Sequence, residues 1–207
     1  MLVLPVGFLS AQRIGEPAPE KPPIFFPLNS WGADLMFGEG GFGLGTFYRR
    51  NFSRTVTGFF DFSISGTKDD REIDYYDPYT GTTYSPNTLN RALLMPINFG
   101  IQYRIFADVI TDNFRPYITC AVGPHFMVTT PYSEEFFNSF KFAQSHYGVG
   151  GYIGFGANIG ESTSSLLGIN VRYYYTAIMG DGIETMIGNV KNNFTQIVIS
   201  LNIGVMY

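Results

Sequence analysis

Five ionisable side chains, Asp34, Arg49, Asp61, Arg104 and Arg172, stand nearly alone in stretches that are otherwise apolar or neutral. A charge taken out of water without a partner is strongly unfavourable, so such residues must find one another or neighbouring amides. Their chemistry is either a closed Arg/Asp network or the lining of a selective conduit. A second grouping is dense: Lys68, Asp69, Asp70, Arg71, Glu72, Asp74 and Asp77 interleave with Tyr75, Tyr76, Tyr79 and Tyr84. Carboxylates suit hard cations and tyrosines anchor protein contacts, while a bare charge run is simply a solvated surface. Ser145, His146 and Glu135 have the residue types of a hydrolase triad, yet their spacing alone gives that reading no support. The glycines at 41, 43 and 45, and at 148, 150, 154 and 156, do not form a phosphate-binding GxGxxG register and read as packing residues. A single Cys120 cannot form an internal disulfide, and His125 and His146 do not make a zinc set. No catalytic, metal or cofactor residue is assigned.

The elements that carry these residues follow from composition and period. Of 207 residues, 45% are hydrophobic and only 14% charged, against about 25% charged in an ordinary soluble protein. The balance is made up by 24 Gly, 20 Phe and 14 Tyr. The net charge is -4 and no Lys/Arg cluster could track a phosphate backbone, so nucleic acid is not an expected partner. No window is apolar for long enough to be a transmembrane helix. Residues 1–11, MLVLPVGFLSA, read as the back end of a secretory signal peptide, with a buried strand as the other reading. Residues 12–28 are proline-rich and read as a periplasmic linker.

Beyond the linker the period is two. In the last fourteen residues, Ile197, Ile199, Leu201, Ile203, Val205 and Tyr207 alternate with Gln196, Val198, Ser200, Asn202, Gly204 and Met206. The same alternation runs through 94–106 and 167–176, and more weakly through 56–65, 116–128 and 148–159; segments 29–37 and 41–52 complete eight strands. The polar face holds Gly, Asn, Gln, Ser and Thr rather than the Lys and Glu of a water-facing sheet, so it suits a narrow interior and the apolar face suits lipid. Asp34, Arg49, Asp61, Arg104 and Arg172 fall on the inward parity, and Cys120 on the outward one. Short turns near 53–54, 107–113 and 161–164 alternate with long polar connections at 67–91, 130–145 and 179–193. The short connection at 38–40 is the one departure.

The closing FTQIVISLNIGVMY resembles the assembly signal of bacterial outer-membrane proteins, and FRPYITCAVGPHF and YGVGGYIGFGANIG resemble strands of the small barrel family that includes the OmpA transmembrane domain, OmpW and porin-like barrels of Bacteroidetes and Chlorobi. The resemblance covers residues 29–207. It implies an all-β fold, an eight-stranded antiparallel up-and-down transmembrane β-barrel in the bacterial outer membrane, with Ile203, Val205 and Tyr207 read by the assembly machinery. The expected function is non-enzymatic: an envelope structural or surface-binding protein with a plugged lumen. The expected binding loop comprises Asp69, Asp70, Glu72, Asp74, Tyr75, Tyr76, Asp77, Tyr79 and Tyr84. Outer-membrane lipid, a surface ligand or an envelope protein are the expected partners. A small-solute conduit and a lipid-modifying barrel enzyme are the alternatives.

Overall fold

The period-two stretches form long strands with one wet-looking and one oily face, and only closure lets such a sheet satisfy its backbone in hydrocarbon. The computed structural model describes residues 27–68, 72, 75–110, 113–159 and 164–207. Eight strands build the barrel: β1 (Asn29–Gly38), β2 (Gly41–Asn51), β3 (Val56–Thr67), β6 (Asn90–Arg104), β7 (Arg115–Pro131), β8 (Gln144–Ile159), β9 (Ser165–Ile178) and β12 (Asn193–Met206). Four shorter strands make two hairpins in the connections, β4 (Tyr75–Asp77) with β5 (Thr82–Tyr84), and β10 (Ile183–Met186) with β11 (Asn189–Lys191). A one-turn helix α1 (Phe136–Ser139) runs into a 3-10 turn (Phe140–Phe142). Signal segment 1–11 and all of linker 12–28 except Pro27 and Leu28 lie outside the described residues.

Neighbouring strands are antiparallel throughout, in the cyclic order β1-β12-β9-β8-β7-β6-β3-β2. Two prolines sit in adjacent strands, Pro96 in β6 and Pro124 in β7, where each withdraws an amide donor. Pairing lapses beside them, between Phe62↔Ile97 and Ser65↔Leu94 and between Pro96↔His125 and Phe99↔Val122, but the register is the same on both sides of each gap. The alternation therefore never flips, and the inward residues stay inward along the whole strand.

The outward face is apolar and exposed: Leu44, Ile101, Ile118, Ile153, Phe155 and Ile199 are among its residues. Cys120 is exposed on this face. The shortest strands, of ten and eleven residues, match what a tilted strand needs to cross a bilayer, and the longest, β7 and β8 with seventeen and sixteen, project beyond it. The departure at 38–40 is a genuine two-residue turn, Glu39-Gly40, with Gly38 opposite Gly41 and Gly41 at φ 103°. β6 ends at Arg104, two residues short of the expected 106, because the chain turns at Phe106 with φ 56°.

Closure happens between the first and last strands. Asn29 and Tyr207 exchange backbone hydrogen bonds, N to O, of 3.0 and 2.9 Å. Along this seam Gly32 faces Gly204 on the lumen side, and a Cβ on Gly32 would lie 2.2 Å from the Ile203 carbonyl oxygen. Backbone cannot yield there without breaking the ladder. Gly32→Val is expected to abolish the compact form that migrates differently on gels before and after boiling, whereas Gly81→Ser, in an open external turn, leaves it intact.

Candidate functional site

The lumen holds the most elaborate polar chemistry of the described residues. Asp34 on β1, Asp61 on β3 and Arg172 on β9 are all under 4% exposed. Arg172 Nη2 lies 2.8 Å from Asp34 Oδ2, and Nη1 lies 3.9 Å from Asp61 Oδ2. The guanidinium, from β9, thus bridges carboxylates of β1 and β3, the two strands that flank β2, and its Cζ stands 5.0 Å from the centre of the Tyr152 ring. Two carboxylates against one guanidinium leave acceptor capacity, which neutral donors take up. Tyr152 O–H donates to Asp61 Oδ2 at 2.5 Å, Asn98 Nδ2 to Asp61 Oδ1 at 2.9 Å, and Asn202 Nδ2 to Asp34 Oδ1.

A second layer orients these donors. Because the Asn98 amide nitrogen donates to Asp61, its oxygen faces His125, whose Nε2 lies 3.1 Å away and must be the protonated nitrogen of the neutral ring. His125 Nδ1 then accepts from Thr176 Oγ1 at 2.7 Å. Room for the imidazole comes from Gly150, where a Cβ would stand 2.5 Å from His125 Cε1. On the other side Asn170 Nδ2 donates to Asn202 Oδ1 at 2.6 Å, and Ser200 Oγ to Asn170 Oδ1 at 2.6 Å. The connected set draws on seven of the eight barrel strands, all but β2.

Apolar layers lie above and below. Ala92, Leu94, Met127, Ile178 and Phe194 form an external layer into which Ile183 of the β10–β11 hairpin is inserted at 2% exposure. Phe47, Leu166 and Met206 form the layer at the periplasmic end. Between the network and that end, a cavity of about 10 Å³, the size of one water, touches Arg49, Asp61, Gln102, Tyr117 and Arg172.

The structure brings together three of the five lumen charges. Arg49 and Arg104 do not join the two carboxylates, which corrects the expectation that all five form one network. Asp61 stands opposite Asn98 on β6, and Arg104 is six residues further along, roughly 20 Å at strand rise. Arg104 Nη2 instead donates to the Ile110 carbonyl at 2.8 Å, and Arg49 Nη1 donates to Asn158 Oδ1 at 3.3 Å. Arg115, also buried and inward, was not singled out from sequence because it sits where the alternation of β7 begins. The Ser145/His146/Glu135 grouping does not assemble: His146 Nε2 is 3.3 Å from Thr129 Oγ1, and Glu135 Oε2 accepts from Asn138.

At the external end, Asp69, Asp70 and Asp74 lie outside the described residues, as do Arg71 and Ile73. Glu72 is described and half-buried. The tyrosines of this connection belong to the β4–β5 hairpin, with Tyr75 opposite Tyr84, and Tyr76 and Tyr79 are exposed at 66% and 96%. Asp77 closes the hairpin turn by accepting from the Tyr79 amide at 2.9 Å and Thr80 Oγ1 at 2.8 Å, with Gly81 at φ 68°. The other long connections carry structure the sequence reading missed. Leu89 N donates to Thr185 O, Tyr132 N to Leu89 O and Ile187 N to Asn87 O, which ties the ends of three connections into one external platform. Four phenylalanines in seven residues, and glycines at 180, 182 and 188, were the available signals.

No family model matches the chain, and no curated protein matches its sequence. Among solved structures, Neisserial surface protein A aligns with a TM-score of 0.50 at 12% identity, over 86% of this chain and 94% of that one. The attachment invasion locus protein of Yersinia pestis aligns at 0.44 and 11% identity, over 86% and 95%, and outer membrane protein OprG from Pseudomonas aeruginosa at 0.37 and 14%, over 86% and 92%. The likeness is one of fold, that of the small eight-stranded outer-membrane barrel, and the closed ladder with its apolar outward belt is what a lipid bilayer requires.

Two outcomes test the geometry. Replacing Arg172 by Met strands two buried carboxylates, and is expected to destabilise the barrel by about 3–5 kcal/mol in urea unfolding from lipid vesicles, with part recovered in Arg172→Met/Asp34→Asn. The two hydrogen bonds to Asp77 hold its carboxyl below the usual value of 3.8. The hairpin stabilisation is therefore complete above that value and lost as pH falls through the lower folded one; amide exchange at Tyr79 should speed up only in that acid range, and Asp77→Asn should remove the dependence.

Proposed function

We propose that this outer-membrane barrel is a plugged, non-enzymatic surface protein whose specific work is done by its external connections. The observation that carries the reading is the bridged Asp34–Arg172–Asp61 set, whose carboxylates also accept from Asn98, Tyr152 and Asn202, between two apolar layers. Eight strands leave an interior just wide enough for side chains, and the cavity beside Arg49, Asp61 and Arg172, with room for about one water, supports this reading. A solute would have to part a buried ion pair and move the Ile183 hairpin to pass. The Ser145/His146/Glu135 grouping is apart, and the carboxylates of Asp34 and Asp61 are taken up by tyrosine and amide donors and by Arg172, which favours the non-enzymatic reading.

The external platform is the counterpart. Tyrosines on a hairpin offer large contact area at low entropic cost, and the acidic residues around them select the charge of what approaches. The connection expected to bind, 67–91, joins that platform through Asn87 and Leu89. Two measurements on purified protein test it. In planar bilayers the barrel should show no large, steady single-channel current; such currents would promote the conduit reading instead. Replacing residues 69–86 by a short Gly/Ser turn should leave the gel-shift signature of the folded barrel and remove binding to whole-cell or matrix surfaces that the parent shows. Retention of all such binding would move the functional surface to another connection.

A further inference from the structure

Among the described residues, the connection between β7 and β8 gathers four exposed phenylalanines within seven residues outside the lipid belt. Phe136, Phe137, Phe140 and Phe142 are 45, 81, 43 and 60% exposed. They are not loose. Phe136 meets Phe137 and Phe140 edge-on, with centroids 5.4 and 5.3 Å apart. Ser139 is fully buried and donates its hydroxyl to the Phe136 carbonyl at 2.7 Å, and its amide donates to Glu135 O at 2.9 Å. The base of the loop is clamped by Arg91, which donates to the carbonyls of Pro131 and Glu134 and lies over the Tyr132 ring at 4.6 Å. The phenylalanines are thus displayed on a prepared knob, which lowers the ordering cost of binding.

Three occupants could cover it, and charge decides among them. The external connections, residues 39–40, 68–89, 132–143 and 179–192, hold ten Asp/Glu against four Lys/Arg, with Glu134 and Glu135 at the foot of the knob. A second copy of the chain would bring the same negative field and be repelled. A lipid surface is disfavoured too, because exposed Gln144 and Ser145 separate the knob from Tyr147 at the top of the outward face. What fits is a polypeptide with an apolar cleft or face rimmed by Lys and Arg. We propose that the 136–142 knob docks a basic, amphipathic polypeptide, the phenylalanines filling its apolar face while the acidic surround meets its cations. The proposal rests on the surface-binding reading and names the chemistry of the partner and the element that holds it.

The test uses the full barrel in nanodiscs of zwitterionic lipid and two labelled probes, an amphipathic Lys/Leu peptide and its Glu/Leu counterpart, read by fluorescence anisotropy. The Lys/Leu peptide should bind, weaken as salt is raised, and lose about tenfold or more in affinity to Phe136→Ser/Phe137→Ser/Phe140→Ser. The Glu/Leu peptide should not bind. Glu134→Gln/Glu135→Gln should weaken the first probe while leaving the phenylalanines in place, and the boiled-versus-unboiled gel shift verifies that each variant folds. Equal binding of the Lys/Leu peptide by the triple variant overturns the knob. If binding then disappears on replacing 69–86, the surface reading stands without the knob. Equal binding of both peptides, or knob-dependent capture of added zwitterionic vesicles, overturns the charge-selected polypeptide and points to lipid.

Discussion

In hydrocarbon an unpaired amide has no water to turn to, so every strand of the barrel needs a hydrogen-bonded neighbour on both sides. That requirement makes the β1–β12 seam the condition for everything else. The register along it is set by the Asn29–Tyr207 exchange and permitted by Gly32 facing Gly204. Once the seam is fixed, Asp34 falls opposite Asn202, and β9 on the far side of β12 brings Arg172 within reach. Residues 138 positions apart become ion-pair partners because both of their strands flank the last one. The polar network depends on closure, and closure gains from the network, since a lumen with unmet charges would favour opening.

The prolines show how far the ladder can be interrupted. Pro96 and Pro124 remove donors from two central, adjacent strands, a position where proline is normally excluded. The gaps are tolerated because the register resumes unchanged and because fully buried side chains, Asn98 and His125, flank them with hydrogen bonds of their own. Side-chain chemistry in the lumen and backbone chemistry in the wall are therefore coupled at one level of the barrel.

How much of this could be read in advance depends on which property encodes it. Alternation is a property of one strand at a time, so the eight strands, their inward faces and the inward turn of Asp34, Asp61 and Arg172 were legible. Partner choice is a property of register between strands distant in sequence, and that is why Arg49 and Arg104 were grouped with carboxylates they do not reach. Tyr152, Asn98 and Asn202 were passed over for the same reason: nothing local distinguishes an amide that serves a carboxylate from one that merely lines a wall. In the sequence the external connections are marked by their charge, which is densest at 68–77. The phenylalanines of 136–142 and the inserted Ile183 were hidden because neither follows a period.

The two-residue Glu39-Gly40 turn shapes the outside of the molecule by what it lacks. In the cyclic strand order the other three external connections are long, so the rim is a parapet with one breach, one strand away from the seam where the first and last strands meet. Anything resting on the platform is walled on three sides and open on the fourth, where the wall ends at a two-residue turn. Approach along the membrane plane is unobstructed there, while approach from the other directions must clear the hairpins first. The external face is consequently directional, with a front defined by its shortest connection.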